Sequence, residues 1–308
     1  MDILGKSFIL RHVFENVSSM ENNTIKSASV EEHFGALWCV FFFKRDQNYG
    51  ICVQCDRGVK NDQEYSINAD CGFRLTRKSG ESRILQAEAT FNLEKEKRNY
   101  GIGFSNFLEE EETIDDYLVN DGIIVETVVT IKMTTGIHKA NLRSFEDPQL
   151  SDMVLIAKDR KFHVSKLFLA SQSTYFKPLF LGNYEEFRKS EVTLNGVDPD
   201  DFQKFLEVLY GDPAIDDDNV EGIVLIADMY DTKNAFRKCE EFLMKDSKKL
   251  LKKKFQMALR YGLKDLKEYC FKNMNTGSDV RLVMPADLAD IDRPTLEALF
   301  KKALTFVK

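Results

Sequence analysis

The sequence predicts a multidomain chain in which an N-terminal all-β antiparallel sandwich is followed by an α+β domain and a short α-helical tail. Three observations carry that prediction. Apolar and β-branched residues alternate with a period of two from Ile123 to Met133. After Pro148 the apolar spacing becomes helical, and a length of 308 residues is too great for one small module. A composition of 43% hydrophobic and 30% charged residues, with 24 Phe, supplies apolar surface for packed cores and excludes a disordered chain. No window repeats at a solenoid period.

From Phe8 onward the apolar runs at 37–43, 50–55, 72–76, 87–93 and 123–133 read as strands. Turns such as Lys78-Ser79-Gly80-Glu81 and Asn120-Asp121-Gly122 separate them and favour an antiparallel sandwich. In the last run Ile123, Val125, Thr127, Val129, Ile131 and Met133 share one face. Ser144-Phe145-Glu146-Asp147-Pro148 reads as a linker. Short strands are then expected at 152–157, 161–164 and 191–194.

Asp198-Pro199-Asp200-Asp201 places a capping acid before a proline suited to a first helical turn, and Phe202, Phe205, Leu206 and Leu209 follow on one stripe. Val220, Ile223, Val224 and Ala227 mark a further helix, as do Phe236, Cys239, Phe242 and Leu243. In the tail, Leu250, Leu251, Phe255, Ala258 and Leu259 form one stripe and Leu263, Leu266, Cys270 and Phe271 another. Pro294 opens a last helix carrying Leu296, Leu299, Phe300 and Leu304. A tail of about sixty residues is too short for a large core of its own and is expected to pack on the middle domain.

Several function classes fall away. The longest apolar run, Ala36 to Phe43, is eight residues, whereas a membrane-spanning helix needs about twenty, so no membrane contact is expected. No secretory leader is recognised, and six scattered cysteines fit reduced thiols in the cytoplasm or nucleus. The net charge of −7 resides in residues 1–147, with 17 Lys+Arg against 24 Asp+Glu, while residues 148–308 balance at 26 each. An acidic N-terminal half repels phosphate backbones, which disfavours nucleic acid and points to peptide or protein partners.

No phosphate loop occurs, and Gly101-Ile102-Gly103-Phe104 reads as a tight turn. Cys52-Val53-Gln54-Cys55 has zinc-ligand spacing but lacks a second pair, and along a strand its thiols face opposite sides, so packing is the reading. The histidines His12, His33, His138 and His163 are scattered singly, and Glu31-Glu32-His33 lacks the second histidine of a zincin. Neither catalysis, nor a metal, nor a cofactor is expected. The acidic run Glu109 to Glu112, continued by Asp115 and Asp116, reads as a solvated loop, and the six lysines between Lys245 and Lys254 as a wet helix face.

Two blocks resemble known families. His12-Val13-Phe14-Glu15-Asn16-Val17, Glu32-His33-Phe34-Gly35-Ala36-Leu37-Trp38, Tyr100-Gly101-Ile102-Gly103-Phe104 and Asp121-Gly122-Ile123-Ile124-Val125-Glu126 resemble the MATH (meprin and TRAF homology) domain in order and spacing. Asp152-Met153-Val154-Leu155, Phe162-His163-Val164-Ser165-Lys166, Leu169-Ala170-Ser171-Gln172-Ser173, Tyr175-Phe176 and Leu209-Tyr210 look like a BTB/POZ domain. The wording is most similar to the nematode-type MATH-BTB group, within the speckle-type POZ-like cullin-3 adaptors. The resemblance implies a MATH domain over residues 1–140, a linker over 141–149, a BTB/POZ domain over 150–246 and a short BACK-like helical region over 247–308.

By the same resemblance, the protein is a non-catalytic substrate adaptor of a cullin-3 ubiquitin ligase. The MATH sandwich grips an extended peptide of a substrate carrying a short linear motif, and the BTB domain pairs into a homodimer and docks cullin-3. The implied peptide-binding positions are Cys52, Cys71, Phe91, Arg98, Asn99, Tyr100, Gly101 and Ile102, with a core position as the other reading of Phe91. Cys52, Cys71 and Ile102 stand where relatives carry aromatic walls, which reshapes the pockets. The implied cullin-binding residues are Leu179, Phe180, Leu181 and Tyr184, with Leu181 in place of a glutamate common in cullin binders. Asp152 matches an acid near the dimer interface, with helix capping or a surface ion pair as its other reading. A non-ligase BTB-dimer scaffold or transcriptional cofactor is the alternative.

Overall fold

In the computed structural model, residues 6–56, 64–93, 98–108, 112–182, 190–284 and 291–306 are described. The chain divides into two compact units, residues 1–137 and 138–308. No helix among the described residues is long and apolar enough to cross a membrane.

The first unit is built from antiparallel strands: β1 (Ser7–Phe14), β2 (Thr24–Ser27), β3 (Glu31–His33), β4 (Ala36–Arg45), β5 (Asn48–Asp56), β6 (Ser66–Thr76), β7 (Ser82–Leu93), β8 (Arg98–Asn99), β9 (Gly101–Phe104) and β10 (Ile123–Thr135). One sheet runs β1-β10-β6-β7-β8; the other runs β2-β4-β5-β9, with β3 also paired to β4. Alternation decides which face is buried: in β6, Ile67, Ala69, Cys71, Phe73 and Leu75 point inward while Asp70 and Arg74 face water. Aromatic pairs then join the sheets, Phe14 on Phe42 at 5.5 Å, Trp38 on Phe91 at 5.2 Å and Phe73 on Phe104 at 5.9 Å. Trp38 is wholly buried, and its indole N–H donates to the His33 carbonyl at 3.2 Å.

Two expectations fail here for local reasons. The register of β10 against β6 shifts between Ile131 and Met133, so Met133 turns outward, 53% exposed, and Thr134 takes the inward position. A β-bulge inverts parity in this way, and no period-two reading foresees it. Gly101–Phe104 is an edge strand paired to β5 and not a tight turn.

The second unit holds a three-stranded sheet of order β12-β11-β13, from β11 (Met153–Ala157), β12 (Arg160–Val164) and β13 (Glu191–Leu194). Its helices are α1 (Lys166–Gln172), α2 (Phe176–Leu181), α3 (Pro199–Leu209), α4 (Val220–Met229), α5 (Lys233–Lys245), α6 (Leu251–Arg260), α7 (Lys264–Asn273), α8 (Gly277–Val283) and α9 (Arg293–Leu304). As the sequence predicts, the Asp198 carboxylate caps α3 by accepting from the Asp200 and Asp201 amides at 3.0 and 3.2 Å.

Helix α3 buries more than an apolar stripe. Residues 138–145 lie along it and cover Asp201, Gln203, Lys204 and Glu207. Glu207 accepts from the Leu142 and Arg143 amides at 2.8 and 3.3 Å, Lys204 donates to the Ala140 carbonyl at 3.0 Å, and Gln203 donates to the Arg143 carbonyl at 2.7 Å. Lys204 and Glu207 also pair with each other at 3.0 Å. The lysine run is likewise no wet face: Lys249, Lys253 and Lys254 are buried, and Lys253 pairs with Glu221 of α4 at 2.8 Å. That ion pair ties α6 to α4, so the tail is part of the same packed unit.

Candidate functional site

The β4–β5 hairpin turns through Asp46 and Gln47, both at positive φ (49° and 66°), the pair of values a two-residue primed turn requires. That turn sets the register in which Cys52 stands opposite Phe41 on one side and Gly103 on the other. Cys52 faces outward and Cys55 is fully buried, the opposite-face arrangement expected of a strand. A Cβ at Gly103 would come within 2.0 Å of the Ile51 carbonyl oxygen, so β9 can approach β5 this closely only with glycine there. The result is a groove of about 520 Å³ on the outer face of the second sheet, walled by Phe43, Arg45, Cys52, Gln54, Gly101 and Ile102.

Of the eight peptide-binding positions from the resemblance, the structure therefore brings Cys52, Gly101 and Ile102 together. Arg98 and Asn99 form β8, which pairs with β7 in the first sheet, whereas Gly101 belongs to the second. The chain changes sheets at the half-buried Tyr100, whose carbonyl accepts from the Cys55 amide at 2.8 Å. Cys71 and Phe91 do not reach the groove. Strand parity turns both into the core, where Phe91 is fully buried edge-on to Trp38 and Cys71 is 1% exposed. Burial pushes the Cys71 thiol up to about 12, and burial with the neighbouring Cys39 pushes Cys52 up to about 11. At neutral pH the groove thus presents a protonated, weakly polar thiol.

On the second unit the docking positions also separate. Phe180 stacks on Phe176, one helical turn away, at 5.2 Å, and both are fully buried. Phe180 is a core residue and offers no docking surface. Leu179 is half-buried, Leu181 is 48% exposed, and Tyr184 lies outside the described residues. Leu181 lines a depression with Leu167, Thr174, Lys177, Asp231 and Asn234. Asp152 accepts from the Lys166 amide at 2.7 Å and so caps α1 together with Ser165.

The acidic run is only partly described: Glu109, Glu110 and Glu111 lie outside the described residues. Glu112 is no solvated acid, because it pairs with Arg83 at 2.9 Å and accepts from the Tyr117 hydroxyl at 3.0 Å. Sequence reasoning also missed a convergence of His138 on Asp198 and Asp201. Sixty residues separate the histidine from the first acid, so no spacing motif could have shown it.

Comparison with known proteins agrees with this architecture. The MATH domain profile matches residues 14–131 and the BTB/POZ domain profile residues 142–247. BTB and MATH domain-containing protein 15 of Caenorhabditis elegans is 36% identical over 274 residues, spanning 88% of this chain and 98% of that protein. BTB and MATH domain-containing protein 45 of the same organism is 31% identical over 288 residues, 92% of this chain and 60% of that protein. Kelch-like protein 40 of Xenopus tropicalis is 38% identical over 95 residues, 30% of this chain and 16% of its own. A sandwich with an outward groove, an α+β module and a relative matched nearly end to end make this chain a member of the family of BTB and MATH domain-containing proteins.

Proposed function

We propose that this chain is a substrate-recognition adaptor of a cullin-3 ubiquitin ligase. Its MATH groove holds an extended peptide of the substrate, and its BTB module pairs with a second copy and docks the cullin. The observation that carries the reading is the presence, in one chain, of a shallow groove beside the last strand of a sheet and an apolar depression at the end of α2. An extended segment laid beside β9 gains its specificity from side-chain pockets, here Phe43, Cys52 and Gln54. An adaptor supplies proximity alone, and pairing two grooves lets weak motifs add through effective concentration. Exposed Tyr175 (48%) supplies apolar surface suited to self-pairing. Six free cysteines suit a cytoplasmic or nuclear site of action.

The test is co-purification of the full-length chain with cullin-3, with Leu181→Asp as the variant because its side chain is exposed and its loss leaves the core intact. Recovery by the wild type and its loss in the variant supports the adaptor. No recovery by the wild type sinks it and favours the second reading, a non-ligase BTB-dimer scaffold or transcriptional cofactor, which the leucine at position 181 already favours. Light scattering is expected to report a dimer, and a monomer of 35.5 kDa at micromolar concentration counts against the pairing.

A further inference from the structure

We propose that His138, Asp198 and Asp201 form a binding site for a first-row divalent metal ion, best matched by zinc, that clips the start of the second unit to the first turn of α3. The site is independent of the adaptor reading. Among the described residues, one ligand atom from each of these three side chains lies within 4.8 Å of the others. The His138 side chain is 8% exposed and that of Asp201 3%. Both ring nitrogens of His138 are shielded from solvent without a hydrogen-bond partner. Nε2 does stand 2.8 Å from Asp201 Oδ1, but the N–H direction is not that of a hydrogen bond. A buried imidazole held at ion-pair distance from one carboxylate and close to a second, with neither ring nitrogen in a hydrogen bond, is the arrangement of a ligand set.

The rest of the site is built around that convergence. The Asp198 carboxylate is oriented by the Asp200 and Asp201 amides, the kind of outer contact that fixes a metal ligand. Asp201 packs against the bare α-carbon of Gly222 in α4, where a Cβ would come within 2.3 Å of its carboxyl carbon. Two carboxylates and a neutral imidazole carry a charge of −2, which a divalent ion neutralises. Imidazole nitrogen favours zinc over magnesium or calcium, which prefer all-oxygen sites. Zinc bonds of about 2.0–2.2 Å place donors roughly 3–3.6 Å apart, so donors now within 4.8 Å of one another must draw in around the ion, and a water completes four-coordination.

The experiment uses the full-length chain stripped of metal by a chelator and titrated with Zn2+ by calorimetry and with Co2+ by visible absorption. One Zn2+ per chain is expected, with a Co2+ spectrum free of the thiolate charge-transfer band that the six free cysteines would give. In His138→Gln and Asp201→Asn the affinity is expected to fall at least about tenfold, and the rise in Tm that Zn2+ gives the wild type is expected to vanish. Asp198→Asn keeps the α3 cap and removes a charged ligand, so it carries the test if the other variants fail to fold. Absence of Zn2+ binding by the wild type, unchanged affinity in the variants, or a cobalt–thiolate band overturns the site and leaves a buried histidine–aspartate contact.

Discussion

The two units bury different things. In the sandwich, the inward positions are almost all apolar, with Phe14, Trp38, Phe42, Phe73 and Phe91 joining the sheets. In the second unit the interior also holds Asp201, Gln203, Lys204, Glu207, Glu221 and Lys253. The difference teaches what each half has to specify. A sheet fixes its own partners through backbone ladders and needs only parity to choose a core face. Helices and an irregular segment such as 138–145 have no ladder to align them, and buried, mutually satisfied ions fix their register at some expense of stability.

That contrast can be broken or sharpened by substitution. Phe91→Ala is expected to cost the sandwich about 3–5 kcal/mol through its cavity and to leave the unfolding of the second unit unchanged. A mild effect on denaturant unfolding, with peptide binding lost instead, would return Phe91 to the groove. Glu207→Ala is expected to remove about 3–5 kcal/mol from the second unit, because it strands the Lys204 ammonium and two backbone amides. If the ions serve register and not stability, Lys204→Met with Glu207→Gln, which retains the acceptor for Leu142, recovers to within about 1 kcal/mol of wild type. A double variant as unstable as Glu207→Ala contradicts the comparison.

Smaller effects separate roles at the surface. Asp152→Ala is expected to cost about 1 kcal/mol through the lost cap on α1 while leaving the sedimentation behaviour unchanged. A weakened dimer in sedimentation would move Asp152 from capping to the interface. Cys52, raised to about 11, is expected to react slowly with iodoacetamide at pH 7.5 and progressively faster as the pH approaches that value. The sign follows from the raised value: folding favours the neutral thiol, so this contribution is full below the unfolded cysteine value and is lost as pH climbs through about 11. Rapid labelling at neutral pH would show that the outer-face thiol is not sheltered by the groove.

The elements with local rules were legible in the sequence. The alternation from Ile123 to Ile131 fixes both a strand and its buried face, and Asp198-Pro199 fixes the start of α3 to the residue. What escaped depends on distant partners. Lys253 looks solvated until Glu221, 32 residues away, is beside it, and Glu112 looks like part of an acidic loop until Arg83 meets it. The groove is half legible: Cys52, Gly101 and Ile102 converge, Phe91 takes the core position that is its other reading, and Cys71 joins it there through the parity that the β6–β7 register fixes. Phe180 leaves the docking surface for the helical counterpart of that reason, since i and i+4 put it on the same buried side as Phe176.

The close seat of Gly103 on the Ile51 carbonyl bears on how such a protein can diversify. Because the depth of the groove there is set by main chain, its floor has almost no heritable variation to offer. New surface chemistry arises at the rim, at positions such as 43, 52 and 54, whose side chains can be exchanged without moving a strand. A duplicated gene can in this way present a differently lined groove after a few rim substitutions while inheriting its scaffold unaltered.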